Sequence, residues 1–145
     1  MPIDRSFVER NRAQTTRMRE LAARLSDEDL KRPVGTHWTV GVALAHIAFW
    51  DARVLAVLDA SEREGTVTVQ GIDIVVNDIS LPLWRAIPPR EAARIAVETA
   101  EKLDRRLESL SSDLLEQLAA RNIRFVERDR HRGEHLDEVE AALEA

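Results

Sequence analysis

At 145 residues, with 44% hydrophobic and 32% charged side chains, the chain is sized for one domain, 1–145, that buries its own core. It has no cysteine, which excludes a disulfide framework and any thiol chemistry supplied by the protein itself. A net charge of −5 argues against a nucleic-acid partner, because phosphate binding needs a basic face.

Asp4 to Leu25 reads as the first helix, over about 5–25. Phe7, Asn11, Met18, Leu21 and Leu25 recur there at helical spacing, with Arg and Glu between them. The opening Met1-Pro2-Ile3-Asp4-Arg5 lacks the apolar region of a signal peptide, so a cytoplasmic protein is expected. Ser26-Asp27-Glu28-Asp29-Leu30 reads as a stop and a short turn of helix, which Pro33 and Gly35 keep from continuing. His37 falls in this connection and is read as exposed. Thr39 is placed to cap a second helix over about 40–61. Val42, Leu44, Ile47, Phe49, Trp50, Val54 and Leu55 make that helix apolar on most sides, as befits a central one. Asp51 and Arg53 interrupt the run too soon for it to span a bilayer, so no membrane partner is expected.

Residues 63–88 are the least helical part. Glu64-Gly65 ends the helix, and Thr66-Val67-Thr68-Val69 has β-propensity without an obvious partner strand. This long crossover is expected to be irregular apart from a short helix near Asn77–Ala86, and to be packed by Ile72, Leu83 and Trp84. Asp73 and Asn77 are candidates for stabilising turns or for lining a pocket. Pro89 or Arg90 opens a third helix over about 90–110, with Ala96, Ala100, Leu103, Leu107 and Leu110 on one seam. Ser111 or Ser112 breaks it, and Asp113–Ala120 reads as one or two short turns. The last helix is expected over about 123–143, with Phe125, Leu136, Val139 and Leu143 on one stripe. Four long amphipathic segments with one long crossover point to an all-α four-helix bundle. Val8, Ala13 and Ala23 fall outside the main stripe of the first helix, and a homodimer is expected.

The histidines carry the chemistry. His46 sits in the most apolar run of the chain, where an unpartnered polar group costs about 1–3 kcal/mol. Between Val126 and Leu136 no large apolar residue occurs, and this gap holds His131 and His135. At i and i+4 these two differ by about 40° around a helix and about 6 Å along it, a spacing at which two imidazoles can share one metal. A bundle core can present His46 to them from a facing helix. Three neutral imidazoles suit a divalent transition metal, Zn or Ni foremost, and leave coordination positions open for a reacting ligand. Glu127, Glu134 and Glu138 are candidates to hold the other ring nitrogens, and Gly133 to admit a close neighbour.

Ser26-Asp27-Glu28-Asp29-Leu30, Trp38-Thr39-Val40, Ala45-His46-Ile47 and His131-x-x-x-His135-Leu136 together resemble the DinB superfamily. That superfamily includes the mycothiol-dependent maleylpyruvate isomerase N-terminal domain and related bacterial thiol transferases. The resemblance implies an up-down-down-up four-helix bundle with a long crossover between the second and third helices. It also implies a divalent metal held by His46, His131 and His135, and a homodimer. The chain departs from the isomerase branch at His131, where that branch carries a Glu. Catalytic members activate a low-molecular-weight thiol, mycothiol or bacillithiol, and direct it at an electrophilic substrate. The function this implies is a metal-dependent S-transferase or isomerase. The alternatives are a non-catalytic, stress-related metal-binding protein, or a structural dimer in which the histidines are incidental.

Overall fold

A computed structural model describes residues 3–145; Met1 and Pro2, part of the expected 1–145 domain and of its opening segment, lie outside the described residues. The fold is all-α, and the only strands among the described residues are two residues long. Helix α1 spans Phe7–Arg24 and the short α2 spans Asp27–Leu30, its N-terminus closed by a reciprocal capping box between Ser26 and Asp29. Beyond Pro33 the chain does more than stop being helical. Strands β1 (Pro33–Val34) and β2 (Trp38–Thr39) pair antiparallel across a turn in which Gly35 takes a φ of 66°. Helix α3 runs Val40–Glu64, capped by Thr39 and ended by Gly65 at a φ of 76°.

The crossover carries a full helix, α4 (Val76–Ala86). Only Trp84 of its expected packing residues is buried; Ile72 and Leu83 are 39% and 71% exposed. Helix α5 spans Pro89–Ser109, with Pro89 at its first turn. The segment expected to form short turns is instead a ten-residue helix, α6 (Ser112–Arg121). The Ser111 side chain caps it, and Leu114, Leu115 and Leu118 bury its inner face. The last helix is also corrected. Ile123–Phe125 forms a 3-10 turn and α7 spans Asp129–Glu144, so the helix starts six residues later than the apolar stripe suggested.

The delay has a tertiary cause. The buried Asn11 of α1 donates from Nδ2 to the Val126 carbonyl at 2.9 Å, and its Oδ1 accepts the Asp129 N–H at 2.9 Å. A side chain from another helix therefore caps α7 and fixes the turn before it. Asn11→Ala is expected to destabilise the fold by about 1–3 kcal/mol, read as a lower urea midpoint, since one buried and one part-buried backbone group lose their partner.

Helix α3 packs against α5 and α7, and α1 packs against the same two helices. The core divides in two. One cluster gathers Met18, Leu21, Leu44, Ile47, Ala96, Ala100, Leu136 and Val139. The other gathers Phe7, Val54, Leu58, Leu103, Leu107, Leu115, Leu118 and Phe125. Phe125 thus belongs to a different cluster from Leu136 and Val139, its expected stripe partners. Along α1 the buried Asn11 and Thr15 fall between the clusters, along α3 Asp51 does, and beside them lie Asp104, Arg128 and Arg132. A polar layer crosses the core at that level. By composition α3 is long and apolar enough to cross a membrane, but 72% of its most apolar window is buried within the protein.

Candidate metal centre

His46 occupies the second turn of α3, and its position follows from the cap: Thr39 Oγ1 accepts the Val42 N–H at 3.2 Å. His131 and His135 occupy the first two turns of α7, whose start Asn11 sets. The three rings converge. Their ring centroids are 4.5–5.0 Å apart, and one nitrogen from each lies within 4.8 Å of the others. His46 Nε2 and His131 Nε2 are 3.1 Å apart. Two imidazoles on one tetrahedral ion place their nitrogens about 3.4 Å apart, so a single ion fits with small adjustments.

Aromatic rings close the site. Trp38 lies 4.6 Å from His46 and 5.6 Å from His135 between ring centroids, and Trp84 meets His46 edge-on at 5.5 Å. Trp50 stands farther out at 6.5 Å, held by its Nε1–H donating to Asn77 Oδ1 at 2.9 Å. Phe49 stands one layer back and packs on Trp84 and Trp50. Asn77 thereby acts through Trp50, while Asp73 stabilises a turn by accepting the Val75 N–H.

The second nitrogens differ. His135 Nδ1 lies 3.3 Å from Glu138 Oε2, the usual carboxylate support that leaves Nε2 free to ligate. Glu127 and Glu134 are taken by Arg10 and Arg124 instead. His46 Nδ1 is buried with no hydrogen-bond partner among the described residues. His131 Nδ1 faces Arg128 Nη2 at 3.3 Å, and a guanidinium can only donate. The neutral ring then carries its proton on Nε2 and points it at His46 Nε2. Ligation through His131 Nε2 moves that proton to Nδ1 and requires Arg128 to draw back. The donor set otherwise suits an imidazole-preferring ion such as Zn or Ni.

Beneath the histidines runs a network that sequence reading missed. Asp51, fully buried, accepts from Arg128 Nε and from Arg132 Nε, both at 2.9 Å. Arg132 also donates from Nη1 to Asp104 at 2.8 Å and to Thr15 at 3.0 Å, and Thr15 donates to Asp104 at 2.6 Å. Burial pulls the Arg128 pKa down and Asp51 only partly opposes it. For Arg132 burial also pulls down, but Asp51 and Asp104 outweigh it and hold the pKa above the ordinary value. Two acids and two cations balance in the interior, and they tie α7 to α3, α5 and α1. A signal was present: an Asp inside an apolar helix needs a partner, and Arg128 and Arg132 recur at i and i+4, interleaved with the histidine pair.

His37 is exposed and stands outside the cluster, as expected. Gly133 is no entrance for a ligand; a side chain there would meet only Gln14 of α1 at ordinary contact distance.

Burial first, then the charges of His135 and Arg128, lowers the His46 pKa from 6.5 to about 3. Burial and Arg128 lower that of His131 likewise. The unfolded chain therefore binds more protons below pH 6.5, and stability falls as the pH drops from there toward 3. The unfolding free energy of the metal-free protein is expected to decline between pH 7 and 5 by roughly 1–2 kcal/mol for each of these two histidines, read as a lower urea midpoint.

The family model of the mycothiol maleylpyruvate isomerase N-terminal domain matches residues 11–122. The match covers His46 and stops before α7, so His131 and His135 lie outside it. No curated protein and no solved structure matches the chain.

Proposed function

Because the chain belongs to the mycothiol maleylpyruvate isomerase N-terminal domain family, a DinB-like group, we propose that it is a metal-dependent thiol S-transferase or isomerase. Its thiol is a low-molecular-weight one such as mycothiol or bacillithiol, and its acceptor is an electrophilic small molecule. The observation that carries this reading is the convergence of three imidazoles in a protein without cysteine, so that the sulfur must come from outside. A divalent ion held by His46, His131 and His135, Zn or Ni, supplies Lewis acidity that favours a thiolate near neutral pH. Glu138 orients His135. Trp38 and Trp84 exclude water from the His46 side, which strengthens electrostatic interactions there. Arg128 places a fixed positive charge at the edge of the site.

The domain is taken as 1–145 and the bundle as up-down-down-up, with the crossover between α3 and α5. In support, α1 passes from the Phe7 cluster to the Met18 cluster, α3 and α5 run the opposite way, and α7 follows the Met18 cluster outward. A cytoplasmic location accords with the burial of α3. The protein is also proposed to be a homodimer. Val8 packs against the core while Ala13 and Ala23 are exposed on α1. Sedimentation at micromolar concentration is expected to give twice 16.4 kDa; a single 16.4 kDa species refutes the dimer.

The function is tested on protein purified without a polyhistidine tag. One equivalent of metal is expected per chain, together with metal-dependent consumption of mycothiol or bacillithiol against an electrophilic acceptor. Bound metal without turnover of either thiol favours the second reading, a non-catalytic metal-binding protein.

A further inference from the structure

Past Trp50, a cavity of about 300 Å³ lies between α3 and the crossover. Arg53 opens it. Seven residues separate Arg53 from His46, almost two full turns, so both lie on one side of α3 about 10 Å apart. The cavity is lined by two arginines, Arg53 and Arg63, with Thr68, Gln70 and the apolar Val57 and Ile72, and by no carboxylate. In a protein of net charge −5 that is an unusual concentration of positive charge.

Arg53 is half-buried. Its Nη2 donates to the Gln70 carbonyl at 3.0 Å and its guanidinium lies over the Phe125 ring at 5.1 Å. Among the described residues no acid lies within ion-pair distance of it, whereas Arg63 has Glu64 at 3.9 Å. Burial and then the charge of Arg128 pull the Arg53 pKa down.

We infer that this cavity is a carboxylate-binding subsite, in which Arg53 anchors an anionic small molecule about two turns along α3 from His46. The assignment of that molecule as thiol or acceptor rests on the thiol-transfer reading; the binding of a carboxylate does not. Arg53 uses its free guanidinium nitrogens for the anion, and the Gln70 side-chain amide offers a neutral donor beside it.

The test titrates the metal-free full chain with succinate, followed by calorimetry and by the amide resonances of Thr68, Gln70 and Gly71. Saturable binding is expected, at least tenfold weaker in Arg53→Gln and largely recovered in Arg53→Lys, which keeps the charge. Succinamide, without the charge, is expected not to bind. The exposed Arg105, outside the cavity, serves as control, and Arg105→Gln is expected to match the parent protein. Unsaturable succinate binding, undiminished binding in Arg53→Gln, or equal binding of succinamide overturns the subsite. Zinc affinity of Arg53→Gln is expected to be unchanged; its loss makes Arg53 a support of the metal centre and overturns the proposal. Zinc titration of the parent chain separates the two readings, because succinate binding without zinc binding removes the metal function and leaves the subsite.

Discussion

His46→Ala is expected to abolish tight binding of zinc or nickel while the helical circular dichroism stays that of the parent. His46 projects from α3 alone, whereas His131 and His135 share α7; without it the facing helix offers the ion nothing. Removing only an outer-shell partner typically costs 10–100-fold in metal affinity, and loss of one of three direct ligands is expected to exceed about that range. The fold should survive because the main apolar contacts of α3, through Leu44, Ile47, Val54 and Leu58, do not involve the imidazole. His37→Ala supplies the control, since that exposed ring stands outside the cluster. Full metal occupancy in His46→Ala would remove the three-histidine centre and the function proposed from it. Acid should strip the metal as well, because each imidazole must be neutral to ligate.

Asp51→Ala is expected to have the largest effect on stability of any single substitution considered. It leaves Arg128 and Arg132, 5% and 0% exposed, without their shared carboxylate. Removing one partner of a buried ion pair costs about 3–5 kcal/mol, which for a domain of this size lowers Tm by roughly 10 °C or more. The damage should reach the three-histidine cluster, because the same network seats the two turns of α7 that carry His131 and His135. Zinc affinity and thermal stability are therefore expected to fall together in Asp51→Ala. Glu98→Ala, which breaks the exposed pair with Arg94, is expected to change stability by less than about 0.5 kcal/mol. An Asp51→Ala protein as stable as that control would show that the buried network is not what holds α7 in place.

Local chemistry was legible wherever the signal is short-range. Thr39 as a cap, Gly65 as a helix stop, Pro89 at a helix start and the short Ser26–Leu30 turn each depend on a few neighbouring residues, and each occurs as expected. The expected short helix in the crossover is there, with Asn77 and Ala86 within it. Errors arose where the outcome depended on residues far away in sequence. The start of α7 was placed by apolar spacing through Phe125, but Asn11, more than a hundred residues earlier, sets it. Leu83 was expected to pack, yet it faces outward while Trp84 takes the inward position against His46. Asp51 was read as an interruption of an apolar run; its meaning comes from Arg128 and Arg132 on another helix.

From its sequence alone, the chain determines that it is helical, where most of its helices begin and end, and that His46, His131 and His135 are the residues to watch. Helix propensity, capping and i, i+4 spacing act over one or two turns, so they are written locally. Tertiary structure alone decided that those three rings meet within 4.8 Å, that tryptophans from β2, α3 and α4 surround them, and that an ionic layer splits the core beneath. Buried charges carry no periodic signature; their placement is settled only when the partner that offsets their desolvation arrives from a distant part of the chain.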